Sequence, residues 1–284
     1  MATEEATADK RIKPHHLVIG LGVGVASFTA LSGVVPLITE WHNENAVHRE
    51  VFINIPSELK LAFYIAIPVL IVYGAVVFSN RVKNWERGTP DNRATTTKNV
   101  KTRAENFRSG VYMQTLLRDP AAGIMHSLIY FSFLILLAVT TILEIDHQVP
   151  EDLKFLHGQT YQAYSFVGDA AGLALLVGVV WAIVRRYVVR PYRIRIKTKV
   201  DHALGLGTLL ALAVTGFGAE AWRIALQGTP DYEKWSFVGY PLATLIDGMS
   251  TLSGGHQIWW LLHVFSFMTF LVILPATMMR HMFT

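Results

Sequence analysis

Apolar positions along the chain fall into six long blocks separated by polar segments. The blocks lie near residues 17–39, 59–79, 121–145, 161–184, 203–219 and 258–279. A helix of about 20 residues crosses a hydrocarbon core of roughly 30 Å, so each block predicts a transmembrane helix. The fifth is short, and the pattern lets it continue to Leu226 through Glu220 and Arg223. The first block is longer than the roughly 7–15 residues of a secretory signal core, and no small-x-small cleavage motif follows it, so it predicts a retained helix. Within it Gly20 and Gly24 form a GxxxG pair, a spacing that lets helices approach closely. The expected fold class is an all-α membrane protein, a bundle of six transmembrane helices.

Composition agrees with this picture. Hydrophobic residues make up 52% of the 284 and charged residues 16%, against about 25% in soluble chains, and the mean hydropathy is +0.35. The absence of cysteine excludes a disulfide, thiol chemistry and thiolate ligation of an iron–sulfur cluster by these residues. Charge then sets orientation. If the N-terminus is cytoplasmic, segments 1–16, 80–120, 185–202 and the C-terminus hold 20 of the 25 lysines and arginines. Arg49, Lys60, Lys154, Arg223 and Lys234 fall on the other side. The positive-inside rule therefore predicts two cytoplasmic termini; the expected location is the plasma membrane of a prokaryote.

Two of the inside segments are strongly basic: the polar stretch 81–120, and a cluster of Arg185, Arg186, Arg190, Arg193, Arg195, Lys197 and Lys199. Such clusters set topology and attract anionic lipid. The same charge suits an acidic cytoplasmic domain or electron-donor protein. Nothing here points to nucleic acid.

Eleven histidines occur, and imidazole is a poor guest in hydrocarbon. His15, His16, His42 and His48 lie outside the apolar blocks, and His202 reads as a structural residue at the start of the fifth helix. The rest form a pattern. His263 and His281 are 18 residues apart, five full turns of an uninterrupted helix, which puts both on one face about 27 Å apart. The third helix runs the other way and carries His126 near its inner end and His147 near its outer end. Paired across the bundle, these four could clamp two planar metallocofactors, and bis-histidine haem b fits that demand. Zinc fits less well, since no HExxH motif or carboxylate cluster accompanies the rings. A proton path through Glu144, Asp169 and Glu220 is a further reading. A non-redox transporter or a scaffold for a cytoplasmic partner is the opposing hypothesis. Transporters use broken helices and a polar midplane site. Pro36, Pro68 and Pro275 interrupt helices, but Asp169 is the one clear acid inside one.

The motifs around these histidines resemble known families. The last helix, with His263, Pro275, Arg280 and His281, resembles that of the nitrate reductase gamma subunit family, as does GIMHSLIYFSF at 123–133. VTGFGAEAWR (214–223), HQIWWLLH (256–263) and RRYVVRP (185–191) resemble the membrane part of heterodisulfide-reductase-like iron–sulfur oxidoreductases. The resemblance covers residues 59–284 and implies a di-haem cytochrome b membrane domain there. Residues 1–58 would be a cytoplasmic tail, an added helix and an outer loop. It further implies a respiratory oxidoreductase domain that moves electrons between a cytoplasmic iron–sulfur or flavin donor, electron-transfer flavoprotein among them, and quinone, usually menaquinone.

Residue by residue, the resemblance makes His126 and His281 ligands of the cytoplasmic-side haem and His263 a ligand of the outer haem. The family's fourth ligand position is Leu136 here. His147 is the substitute by depth, with His157 and His256 as alternatives. Glu144, Asp146, His157, Tyr161, Glu220 and Arg223 are candidates for a quinone site near the outer haem, because quinone carbonyls need donors and reduction takes up protons. Arg118 and Arg280 are candidates for pairing with haem propionates. The relatives carry cysteine-rich cluster domains, so iron–sulfur clusters are expected on a further C-terminal domain of a longer protein or on a partner subunit.

Overall fold

The computed structural model describes residues 12–39, 41, 43–88, 95–114 and 116–282, the side chains of residues 36, 37 and 193 excepted. Of the positions named above, His42 and the side chains of Pro36 and Arg193 lie outside this description. Most of the described residues are helical, and none of them forms a strand. The helices are α1 (Pro14–Thr39), α2 (Ser57–Trp85), α3 (Thr97–Val111), α4 (Pro120–Gln148), α5 (Gly158–Ile183), α6 (Tyr192–Arg195), α7 (Val200–Leu226), α8 (Gly239–Ile246) and α9 (Leu252–Ala276). A π turn, Val184–Val189, prolongs α5, and a 3-10 turn, Met278–Met282, follows α9.

Six of these helices are long and apolar enough to cross a membrane: α1, α2, α4, α5 with its π turn, α7 and α9. All six expected blocks are found. The fifth does run to Leu226, because Glu220 and Arg223 find partners inside the bundle instead of ending the helix. Many apolar side chains point outward, Phe28 and Phe265 among them. That exterior suits hydrocarbon, in which a helix already satisfies its own backbone groups. The core forms where α5, α7 and α9 meet, around Leu175, Val179, Leu209, Ala213, Phe270 and Leu274, with Phe133 of α4 against it.

α1 packs on α2 and touches α4. Its close approach does not use the GxxxG pair, since a Cβ at Gly20 or Gly24 would meet open space. The glycines in the seam are Gly22, where a Cβ would fall 2.2 Å from the Ala75 Cβ, and Gly33, where it would fall 2.2 Å from the Tyr64 ring. At one end of this pair the Nδ1 of His15 lies 2.7 Å from Glu86 Oε2, and Glu86 also accepts the His15 amide at 2.7 Å.

The strands of charge separate along the bundle axis. The start of α1, the end of α2, α3, the start of α4, the π turn, α6, the start of α7 and Met278–Met282 lie at one end, called the basic end below. The segment before α2, the α4–α5 connection and residues 227–251 lie at the other.

Candidate functional site

α4 begins at the basic end because Asp119 caps it: its side chain accepts the Ala122 amide at 3.2 Å, and Pro120 occupies the first turn, where no amide partner is needed. Two turns further in lies His126. α9 stops at Ala276, next to Pro275, and the chain tightens into the 3-10 turn that carries His281. The uninterrupted five-turn register between His263 and His281 is thus replaced by a helix and a turn. The turn nevertheless delivers His281 to His126, with ring centroids 6.1 Å apart. Two metal–nitrogen bonds of roughly 2 Å each, plus the half-width of each ring, fill such a gap.

The hydrogen bonds define which nitrogens are free. The Nδ1 of His281 lies 2.8 Å from the Met278 carbonyl, which can only accept, so Nδ1 carries the proton and Nε2 keeps its lone pair. A ring held in this way is a preset metal ligand. The Nδ1 of His126 is buried and has no partner. Both rings line a cavity of about 180 Å³ with Ile129, Phe133, Leu206 and Leu209. Arg185, Arg186 and His202 line the same cavity, and His202 also accepts the Lys199 amide at the start of α7, a structural contact of the kind the sequence expects of it. Arg185 donates to Asp119 at 2.7 Å. The Ala122 amide and Arg185 together hold the Asp119 carboxyl below the usual aspartate range. An apolar, slot-lining surface with two facing imidazoles and a cationic edge matches the donor set that haem b requires.

His263 sits deeper. Its Nδ1 is 3.1 Å from the Thr215 hydroxyl, and that hydroxyl gives its own proton to the Ala211 carbonyl at 2.6 Å. The ring must therefore donate through Nδ1, leaving Nε2 bare, as at His281. Gly216 makes room for it, since a Cβ there would come within 3.3 Å of the imidazole. His147 packs elsewhere, edge-on against Phe52 at 5.4 Å, and Phe52 also packs on Trp260. His256 is buried with an unpartnered Nδ1. It lies seven residues before His263 on the same helix, and so cannot occupy the opposite side of one iron. His157 is exposed and pairs by its backbone with His48.

The six candidates for a quinone site divide. Asp146 accepts the amides of Phe155 and Leu156 at 2.7 and 2.8 Å and ties down the α4–α5 connection. Glu144 accepts from Tyr64 at 2.9 Å and from Gln148 at 2.6 Å. Tyr161 and Arg223 belong to a buried network, while half-buried Glu220 meets Asp169. Arg223 donates to Glu233 at 2.6 and 3.3 Å and to Gln227 at 2.6 Å, and the Tyr161 hydroxyl donates to Glu233 at 2.8 Å. Burial alone would raise the Glu233 carboxyl, but Arg223 and Tyr161 outweigh it and hold the group below the usual range. Asp169 accepts the amides of Val238 and Gly239 at 2.6 and 3.1 Å, so it is committed to the start of α8. Glu220 crowds the same Gly239 from α7. Glu233 escaped sequence reasoning because it sits in the polar turn Asp231–Trp235, which carries no signal of burial.

These features define a polytopic all-helical protein with a paired-imidazole cavity at its basic end. No family model matches the chain, and no solved structure matches it. Among curated proteins it is similar to the "EtfAB:quinone oxidoreductase" of Syntrophomonas wolfei subsp. wolfei, with 26% identity over 181 residues. The match covers 59% of this chain, which spans about a quarter (24%) of that relative's length.

Proposed function

We propose that this chain is a membrane electron-transfer domain of a quinone-linked oxidoreductase, with b-type haem held between helices. The observation that carries the reading is the His126–His281 pair, two rings 6.1 Å apart in an apolar cavity, one of them fixed in the ligand tautomer. The similarity to a protein named for quinone oxidoreduction supports the same direction, as does the electron-transfer flavoprotein in its name as donor. When bound, haem b supplies reversible one-electron chemistry at its iron.

The chain's own residues hold, orient and insulate. Met278 fixes the His281 ring through its carbonyl, and Thr215 fixes His263 for a second, deeper haem, for which His147 is the proposed partner and His157 the alternative. Leu209, Phe133 and Phe270 keep water from the space between the two levels. Arg223 and Glu220 at the far end are the groups proposed to serve the quinone, menaquinone in this reading: the Arg223 Nε–H, buried without a partner, is a donor for a carbonyl, and Glu220 supplies a carboxyl for proton exchange, while Tyr161 gives its proton to Glu233. The basic end faces the cytoplasm in this reading, where a flavin or iron–sulfur donor on a partner or further domain delivers electrons.

An absorbance spectrum of the purified protein tests the core of this. A Soret band and a sharp reduced α band are expected. His126→Ala and His281→Ala should each remove about half of the haem, since two sites share it. Full haem content and an unchanged spectrum in both variants would overturn the assignment.

A further inference from the structure

The cavity holds three imidazoles, and a bis-histidine iron uses two. The third, His202, is in the wrong tautomer to be a ligand through its outer nitrogen. The backbone amide of Lys199 donates to its Nδ1 at 3.2 Å, so the neutral ring carries its proton on Nε2. His202 is therefore a hydrogen-bond donor in the cavity that it lines. It stands with two cations. α5 passes into the π turn, in which the Arg190 amide reaches back five residues to the Arg185 carbonyl at 3.0 Å. A turn of this kind re-aims side chains and is common at functional sites. Here both consecutive arginines, 185 and 186, line the cavity. Arg185 spends one terminal nitrogen on Asp119, while its Nε–H is buried with no partner. A buried donor without an acceptor is costly and calls for a group that supplies one.

We propose that His202 and Arg185, with Arg186 beside them, form a carboxylate-binding site at the mouth of the cavity. It receives the propionates of the haem whose iron His126 and His281 ligate. The inference rests on the haem reading above. It also replaces the two arginines that the sequence suggested for this task. Arg280 donates to the Ala276 and Thr277 carbonyls at 3.4 and 3.2 Å and closes α9, and Arg118 is exposed outside the cavity. A guanidinium and an imidazole N–H suit carboxylate oxygens, and charge-assisted bonds of this kind are about twice as strong as neutral ones. Bound there, the cofactor's carboxylates would meet Arg185 and His202, while Phe133 and Leu209 line the apolar remainder of the cavity.

The test compares haem b with its dimethyl ester, which keeps the iron and the ring but lacks the anionic oxygens. Protein made under haem limitation is titrated with each. The wild type should prefer the free acid by on the order of tenfold, the size of one charge-assisted hydrogen bond. His202→Leu combined with Arg185→Leu should bring the two affinities together by weakening the free acid alone, and His202→Gln, which keeps an N–H, should retain part of the preference. Asp119→Asn breaks the same bridge to Arg185 without removing the guanidinium, and should leave the preference intact. In all of these the six-coordinate bis-histidine spectrum should persist.

Equal wild-type affinities for acid and ester would overturn the carboxylate site while leaving the haem reading in place. Loss of the six-coordinate spectrum in His202→Leu, with its retention in His126→Leu, would make His202 an iron ligand and overturn the assignment. A preference that vanishes on adding anionic lipid would give the cations to lipid headgroups instead. Failure of the wild type to take up haem at all would remove the haem reading, and this proposal with it.

Discussion

Arg223 and Glu233 form a fully buried ion pair, with Tyr161 as a third member. Pairs of this kind gain little over apolar replacements, but removing one partner strands a charge where water cannot reach it, at a cost of about 3–5 kcal/mol. Arg223→Leu is therefore expected to lower the unfolding midpoint in detergent sharply, and Arg223→Leu with Glu233→Leu to recover much of the loss. A single variant as stable as the wild type would show that the pair is solvated. The pH dependence follows from the sign of the shift. Glu233 is held below its unfolded value, ordinarily about 4.3, so its contribution is present at neutral pH and disappears as pH falls through the folded value. Glu233→Gln should flatten the acid limb of a midpoint-against-pH profile, leaving the neutral and alkaline parts in shape. At this scale the sequence marked Tyr161 and Arg223 by residue type and depth, because polar groups beside long apolar blocks stand out. Glu233 did not stand out, because a polar residue in a polar connection shows its burial only when the chain is folded. Spacing likewise carries no record of which nitrogen of His202 the Lys199 amide occupies, and that decides what the ring can offer the cavity.

Among the helices, the six spans were readable because each is a long apolar run, and that signal survives in a single sequence. Register within the last span was not, since Pro275 and the 3-10 turn break the five-turn count while still bringing His281 to His126. α3 was hidden too. Residues 81–120 average as polar, yet Val100, Ala104, Phe107 and Val111 recur at intervals of four, three and four and share one narrow stripe on the helix, with Lys101 and Arg108 along one border and Arg103 along the other. None of its residues is buried, and Phe107 is 75% exposed. An apolar stripe between two rows of cations suits the interface of an anionic bilayer, and α3 connects two spans at the end where that interface lies. Amides of residues 97–111 are therefore expected to exchange more slowly with solvent in nanodiscs rich in anionic lipid than in neutral ones. Phe107→Asp should abolish the difference. Exchange that ignores lipid charge in the wild type would detach α3 from the membrane surface.

For the molecule as a whole, the cavity, the π turn, α3, α6 and the start of α7 gather at one end, and the same end carries most of the lysine and arginine. This coincidence has a kinetic use in the proposed function. Electrons reach the His126–His281 level only from a donor held close to it, and His281 is exposed at that surface. A cationic rim raises the encounter rate of an acidic partner and orients it, adding less to final affinity. Arg190, Arg195 and Lys197 are suited to probing this, because among the described residues none of the three lines the cavity or pairs with an acid. Arg185 and Arg186 are not, since their loss would disturb the cavity as well as the rim. If the rim serves lipid alone, replacing the three with glutamine leaves donor-driven haem reduction unchanged in a fixed lipid. If it docks the donor, reduction slows at low salt and its dependence on ionic strength becomes shallower, because fewer charges remain to be screened over a length of about 10 Å at 0.1 M. Stopped-flow reduction at several salt concentrations separates the two. The expected outcome is convergence of variant and wild type at high salt and divergence at low salt. Identical rates and identical salt slopes would assign the basic end to the membrane surface and leave donor docking to another part of the molecule.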